Sequence, residues 1–358
     1  MGLREVMLAG VVPGVVGFVV LLGVVLVGWK KGGWKPPPLG WPSVLSGAVV
    51  LLMAGAMVLG SYVWQTRVEL WSGQATHRFP FVALVAGGVG LIVAFMGRRW
   101  RWVGVAAPSV GGGVVAWVFL SLLHESLISE VARWGWVVGV ALVVGMQALV
   151  LERVPARLAG WRGAAVLSVM AGLVAVGAME AFVNGALVLG PVAAVLGALG
   201  VVGLIRPGMQ MGGGVGAALA VLMAGVAVFA NWFGDHERWV MLGFLTAVPM
   251  GAGLCLVPWV ARRGVNVRFA AAVVGVVVLG GIQAGRAIGP LVESMSPAVA
   301  SVVTSPQRIV STAGRFSALY IGVHDGGKGC GSGCERGVGC AGCFVVSGGF
   351  CGRVPVEE

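Results

Sequence analysis

The chain has 358 residues, of which 58% are apolar and only 10% are charged. Soluble domains carry about 25% charged residues, so the composition excludes an ordinary soluble protein. The net charge of +11 would suggest nucleic acid as a partner. The basic residues sit instead in short clusters between apolar runs, which is the pattern of topology signals and excludes a nucleic-acid-binding face.

The apolar runs are about twenty residues long, enough to cross a hydrocarbon core. They predict an all-α, polytopic transmembrane bundle of about ten spans over residues 1–290. The first, Met7–Val27, follows a single early basic residue, Arg4, and has no small-x-small cleavage site. It is expected to be a retained helix and not a signal peptide. The next spans are Ser43–Trp64, Phe79–Met96, Val103–Leu123 and Trp134–Leu151. One long apolar stretch then carries Glu180 and Asn184 near its middle. It is too long for one crossing and predicts two helices, Gly163–Ala181 and Gly185–Ile205, joined by a tight turn. Gly212–Phe233, Trp239–Trp259 and Phe269–Gly285 complete the set.

Basic residues alternate along these connections. The odd loops hold Lys30, Lys31, Lys35, Arg98, Arg99, Arg101, Arg153, Arg157, Arg162, Arg206, Arg262, Arg263 and Arg268, 13 in all. The even loops hold 4: Arg67, Arg78, Arg133 and Arg238. Positive residues mark the cytoplasmic side, so the odd loops are expected inside and both termini outside. Tryptophans agree, because Trp64, Trp71, Trp100, Trp102, Trp134, Trp161 and Trp259 fall at span ends, where this amphipathic ring anchors depth.

Small residues recur at four-residue spacing, as in Gly212, Gly216, Ala220 and Ala224, and again in Gly243, Ala247, Gly251 and Cys255. Such stripes let helix backbones approach closely and predict a tight bundle. In the fourth span, Pro108, Ser109, Gly111, Gly112 and Gly113 make the strongest candidate for a broken helix of the kind transporters use to expose backbone to a solute. A kink tolerated by neighbouring helices is the competing and more frequent reading.

No Asp, Glu, Lys, Arg or His falls in the middle of a span. A proton relay at membrane depth is therefore disfavoured, since such groups are the usual machinery. Acidic residues gather in the even loops, while the odd loops hold only Glu152. His77, His124, Glu125, Asp235, His236 and Glu237 could form an outer-face cluster of imidazoles and carboxylates. That mixture suits a divalent metal or acid–base chemistry. Against it, an outer face stripped of basic residues is acidic by default, and adjacent helical residues point apart.

Beyond the bundle, residues 291–324 are moderately apolar and read as an interfacial segment. Residues 325–358 are rich in glycine and cysteine, with Cys330, Cys334, Cys340, Cys343 and Cys351. Three readings compete: a disordered tail, disulfides with one thiol left over, and a thiolate metal site at Cys330, Cys334, Cys340 and Cys343. They rank in that order, because the segment lacks apolar residues to fold around a site. No cofactor is expected, a divalent metal being the sole candidate. Phosphate-loop, zinc-protease and nucleophile-elbow motifs are missing.

These features predict a multi-pass protein of a bacterial-type inner membrane, with the lipid bilayer as its first partner. The leading functional expectation is a permease for a small solute. The alternative is a non-catalytic subunit that anchors a membrane protein partner, and an outer-face enzyme ranks last.

Overall fold

A computed structural model describes residues 11–32, 41–64, 74–97, 99–124, 127–158, 160–181, 185–206, 212–234 and 248–282. The chain divides into two units, Met1–Met295 and Ser296–Glu358, and every described residue lies in the first. The expected interfacial segment and the cysteine tail lie outside the described residues.

All regular structure among the described residues is helical. The order is α1 (Val12–Gly32), α2 (Trp41–Trp64), α3 (Phe79–Met96), α4 (Val103–Leu120), α5 (Glu130–Leu158), α6 (Gly160–Ala181), α7 (Gly185–Ile205) and α8 (Val215–Phe233). Helical residues 248–253, a 3₁₀ turn at Leu254–Leu256, the short α9 (Pro258–Ala261) and α10 (Val265–Ile282) follow. Among the described residues eight helices are long and apolar enough to cross a membrane. Within α1 the apolar stretch is shorter, at Val12–Val27. The chain therefore has the architecture of a multi-pass integral membrane protein. In lipid every backbone amide must bond within its own segment, so valine-rich sequences of low helix propensity still form helices.

The expected division of the long apolar stretch into two helices is seen in α6 and α7. Ser168 Oγ donates to Ala193 O at 2.8 Å, and Gly203 abuts Trp161, so the pair runs antiparallel. Gly47 and Gly87 likewise face Leu91 and Ala54 across α2 and α3. Leu151 meets Gly216 and Trp136 meets Trp232 across α5 and α8.

The core is α8. Every residue from Val215 to Asn231 is buried, and α3, α4, α5 and α6 surround it. Small residues make this enclosure geometrically feasible. An added Cβ at Gly216 would stand 2.6 Å from Leu151 C, and one at Gly225 would stand 2.5 Å from Val82 Cγ1. The Gly212, Gly216, Ala220, Ala224 stripe is therefore a helix-contact surface, as its spacing predicts.

The fourth span, the strongest candidate for a broken helix, is not interrupted. The chain runs as one helix through Pro108 from Val103 to Leu120. The glycines are packing positions: an added Cβ would meet Val89 at Gly111, Val144 at Gly112 and Ala141 at Gly113. Pro108 is buried close to the helix start, and Ser109 lies against Gly145 of α5. The interruption falls in the ninth expected span instead. Val257 takes φ −56°, ψ 131° between the 3₁₀ turn and Pro258. The ring of a following proline drives the preceding residue out of the helical region, which ends the helix there.

Candidate functional site

Because α8 is enclosed, its N-terminus poses a problem. The first amides of a helix lack intrahelical acceptors, and these lie away from bulk water. The preceding residues, Gly212-Gly213-Gly214, have no side chain to cap them. Gly214 sits at φ +105° and packs so closely on Gly90 O that a Cβ would collide with it. Glu152, near the end of α5, supplies the missing acceptor. Its Oε1 accepts from Gly214 N and Ala217 N, both at 2.8 Å. A carboxylate is well suited here, since the helix dipole presents its positive end. The close approach of Gly216 to the Leu151–Glu152 backbone brings the two within reach.

Beside this cap lies a cavity of about 290 Å³. Its wall comes from Pro42 and Ser43 of α2, the end of α3 at Gly97, Gly104 of α4, and Leu149, Glu152 and Arg153 of α5. Gly212 and Gly213 close it, and Gly212 N donates to Pro42 O at 3.2 Å. The cavity thus joins a carboxylate, a guanidinium and a hydroxyl at one end of the bundle. A second, smaller cavity of about 130 Å³ lies between Val143, Met146, Gln147 and Val150 of α5 and Pro249 and Met250. Its lining is almost wholly apolar.

At the opposite end, Phe79, Phe119, Phe229 and Phe233 form an aromatic cluster with ring centroids 5.0 to 6.4 Å apart. The contact of Phe79 with Phe119 puts the start of α3 and the end of α4 at the same end. His77, half-buried in the Ala75–Arg78 turn, and His124, exposed after α4, therefore share this end. Glu125, Asp235, His236 and Glu237 lie outside the described residues. Among the described residues no group of three or more His, Cys, Asp or Glu side chains could hold a metal. Cys330, Cys334, Cys340 and Cys343 lie outside the described residues as well. Cys255 is a buried free thiol that donates to Ala252 O at 3.3 Å.

In the sequence Glu152 stands out only as the lone acid of the odd loops. Its isolation was the available signal, because a single carboxylate kept at the arginine-bearing end has a specific partner. That partner is 62 to 65 residues away along the chain. No protein-family model, curated protein or solved structure matches the chain.

Proposed function

We propose that the chain is a non-catalytic membrane subunit, a rigid bundle that anchors a membrane protein partner. The observation carrying this reading is the solid core, in which α8 is enclosed along its length from Val215 to Asn231. A rigid core suits a scaffold, whereas alternating access needs parts that rock about a central site. The least covered of the eight candidate spans supports it too. Within α10 only 22% of the apolar window is buried by its own chain, against 39% or more in the other seven candidate spans. Val274, Val277, Val278 and Ile282 face outward there.

The finer topology belongs to the same proposal: about ten spans, odd loops in the cytoplasm, both termini outside, in a bacterial-type inner membrane. Supporting it, segments from α2, α3, α4, α5 and the turn before α8 line one cavity at the arginine-bearing end.

The permease reading keeps a specific observation in its favour, the cavity beside Glu152 with Arg153 and Ser43 in its wall. The two readings separate at Val221, in mid-α8 and fully buried. In a background without native cysteines, Val221→Cys should resist a membrane-impermeant maleimide applied to either side. The chain extracted in mild detergent should migrate as a complex with a second protein. Labelling of Val221→Cys from the cavity side, with the chain running alone, would replace the scaffold by a permease.

A further inference from the structure

The arginine-bearing end holds a second feature, distant in sequence from the Glu152 cap. Two connections meet there: the α5–α6 corner and the segment from α9 into α10. Arg162 Nη2 donates to Asn266 Oδ1 at 3.0 Å. Arg268 Nη1 reaches Arg157 O at 3.4 Å, and its Nε donates to Arg263 O at 2.9 Å. Beneath them Trp161 packs edge-on against Phe269, with centroids 5.2 Å apart.

These contacts gather Arg157, Arg162, Arg263 and Arg268 without neutralising them. All of the bonds go to carbonyl or amide oxygens. The nearest acid in the sequence, Glu152, is engaged by α8, and Glu130 and Glu180 lie at the far ends of α5 and α6. Four arginines brought to one corner, with no carboxylate bonded to them among the described residues, concentrate positive charge there, so the arrangement favours an added anion. Guanidinium forks match phosphate oxygens in pairs. Two of them are already oriented by stacking, Arg162 on Trp161 at 5.2 Å and Arg263 on Trp259 at 5.1 Å. Trp259 is exposed, and exposed tryptophan beside arginine belongs at headgroup depth.

We propose that this notch binds a phosphate group, and that its source is the headgroup of an anionic phospholipid. The inference rests on the membrane reading but on neither the scaffold nor the permease.

The test uses the full chain in mild detergent, with lipid binding followed by native mass spectrometry. Phosphatidylglycerol should bind and phosphatidylcholine should bind far more weakly. Arg157→Gln with Arg263→Gln is the variant to use, because neither side chain makes a hydrogen bond that holds the fold. It should weaken phosphatidylglycerol binding roughly fivefold per arginine, roughly thirtyfold for both. Arg157→Lys with Arg263→Lys should restore only part of the binding, because lysine keeps the charge and loses the fork. The charge-matched Arg99→Gln with Arg101→Gln, elsewhere at the same end, should leave it unchanged. If that control weakens binding as much, or if the first variant binds normally, the notch is not a site. Inorganic phosphate at millimolar concentration should not compete. Full displacement would keep the phosphate chemistry but overturn the headgroup as its source.

Discussion

At the scale of single residues, Glu152 and Gly214 form one device. The carboxylate satisfies the amides of the buried Gly214 and Ala217 at 2.8 Å, and the glycine adopts the positive φ that aims them. Glu152→Ala should cost about 1–3 kcal/mol, the penalty for stranding buried donors. Glu152→Gln keeps a carbonyl acceptor and loses only the charge–dipole part, about 0.3–1 kcal/mol. Equilibrium unfolding in mixed micelles would measure both, and equal losses would contradict the capping role. Gly214→Ala should lose more than about 1 kcal/mol, since φ is strained for any side chain and a Cβ would strike Gly90 O. Gly88→Ala is the contrast: an added methyl meets nothing within 4 Å, so the helix should gain up to about 1 kcal/mol.

Among elements, contact is decided by where side chains are missing. Gly225 lets α3 lie against α8, and an added Cβ would meet Val82 Cγ1 at 2.5 Å and Val115 Cγ1 at 3.3 Å. Gly225→Ala should therefore destabilise by about 1–3 kcal/mol through overpacking. Most of the clash is with the valine's own methyls. Adding Val82→Ala should recover part of the loss, so the double variant should be more stable than the sum of the singles. Strict additivity in the same unfolding assay would mean that α3 and α8 do not meet there. The small-residue stripe that signals this contact is visible in the sequence. Its partner is not, because a four-residue repeat says that a helix face is thin and nothing about which helix lies on it. The glycines from Gly111 to Gly113 show the ambiguity: the same composition reads as a break or as a packing face, and Val144 and Ala141 decide for packing.

At the scale of the whole molecule, the ends differ in chemistry. One carries the Glu152 cavity and the arginine notch, the other an aromatic cluster with His77 and His124 above it. With native cysteines removed, Arg99→Cys and His124→Cys should react with an impermeant maleimide from opposite faces of sealed vesicles, Arg99→Cys from the cytoplasmic face. Labelling of both from one face would overturn the alternation of spans, and exchange of the faces would invert the orientation.

Membrane residence and helical class were determined by the sequence alone, because twenty-residue apolar runs have few other stable states and lipid leaves the backbone no partner but itself. The division of one apolar stretch into α6 and α7 was legible for the same reason, since it is a matter of length. Which helix is central, which glycine faces which valine, and what Glu152 holds were decided only by the tertiary structure. Those are pairings between residues far apart in the chain, and between helices of nearly uniform valine, alanine and glycine content no periodicity distinguishes one pairing from another.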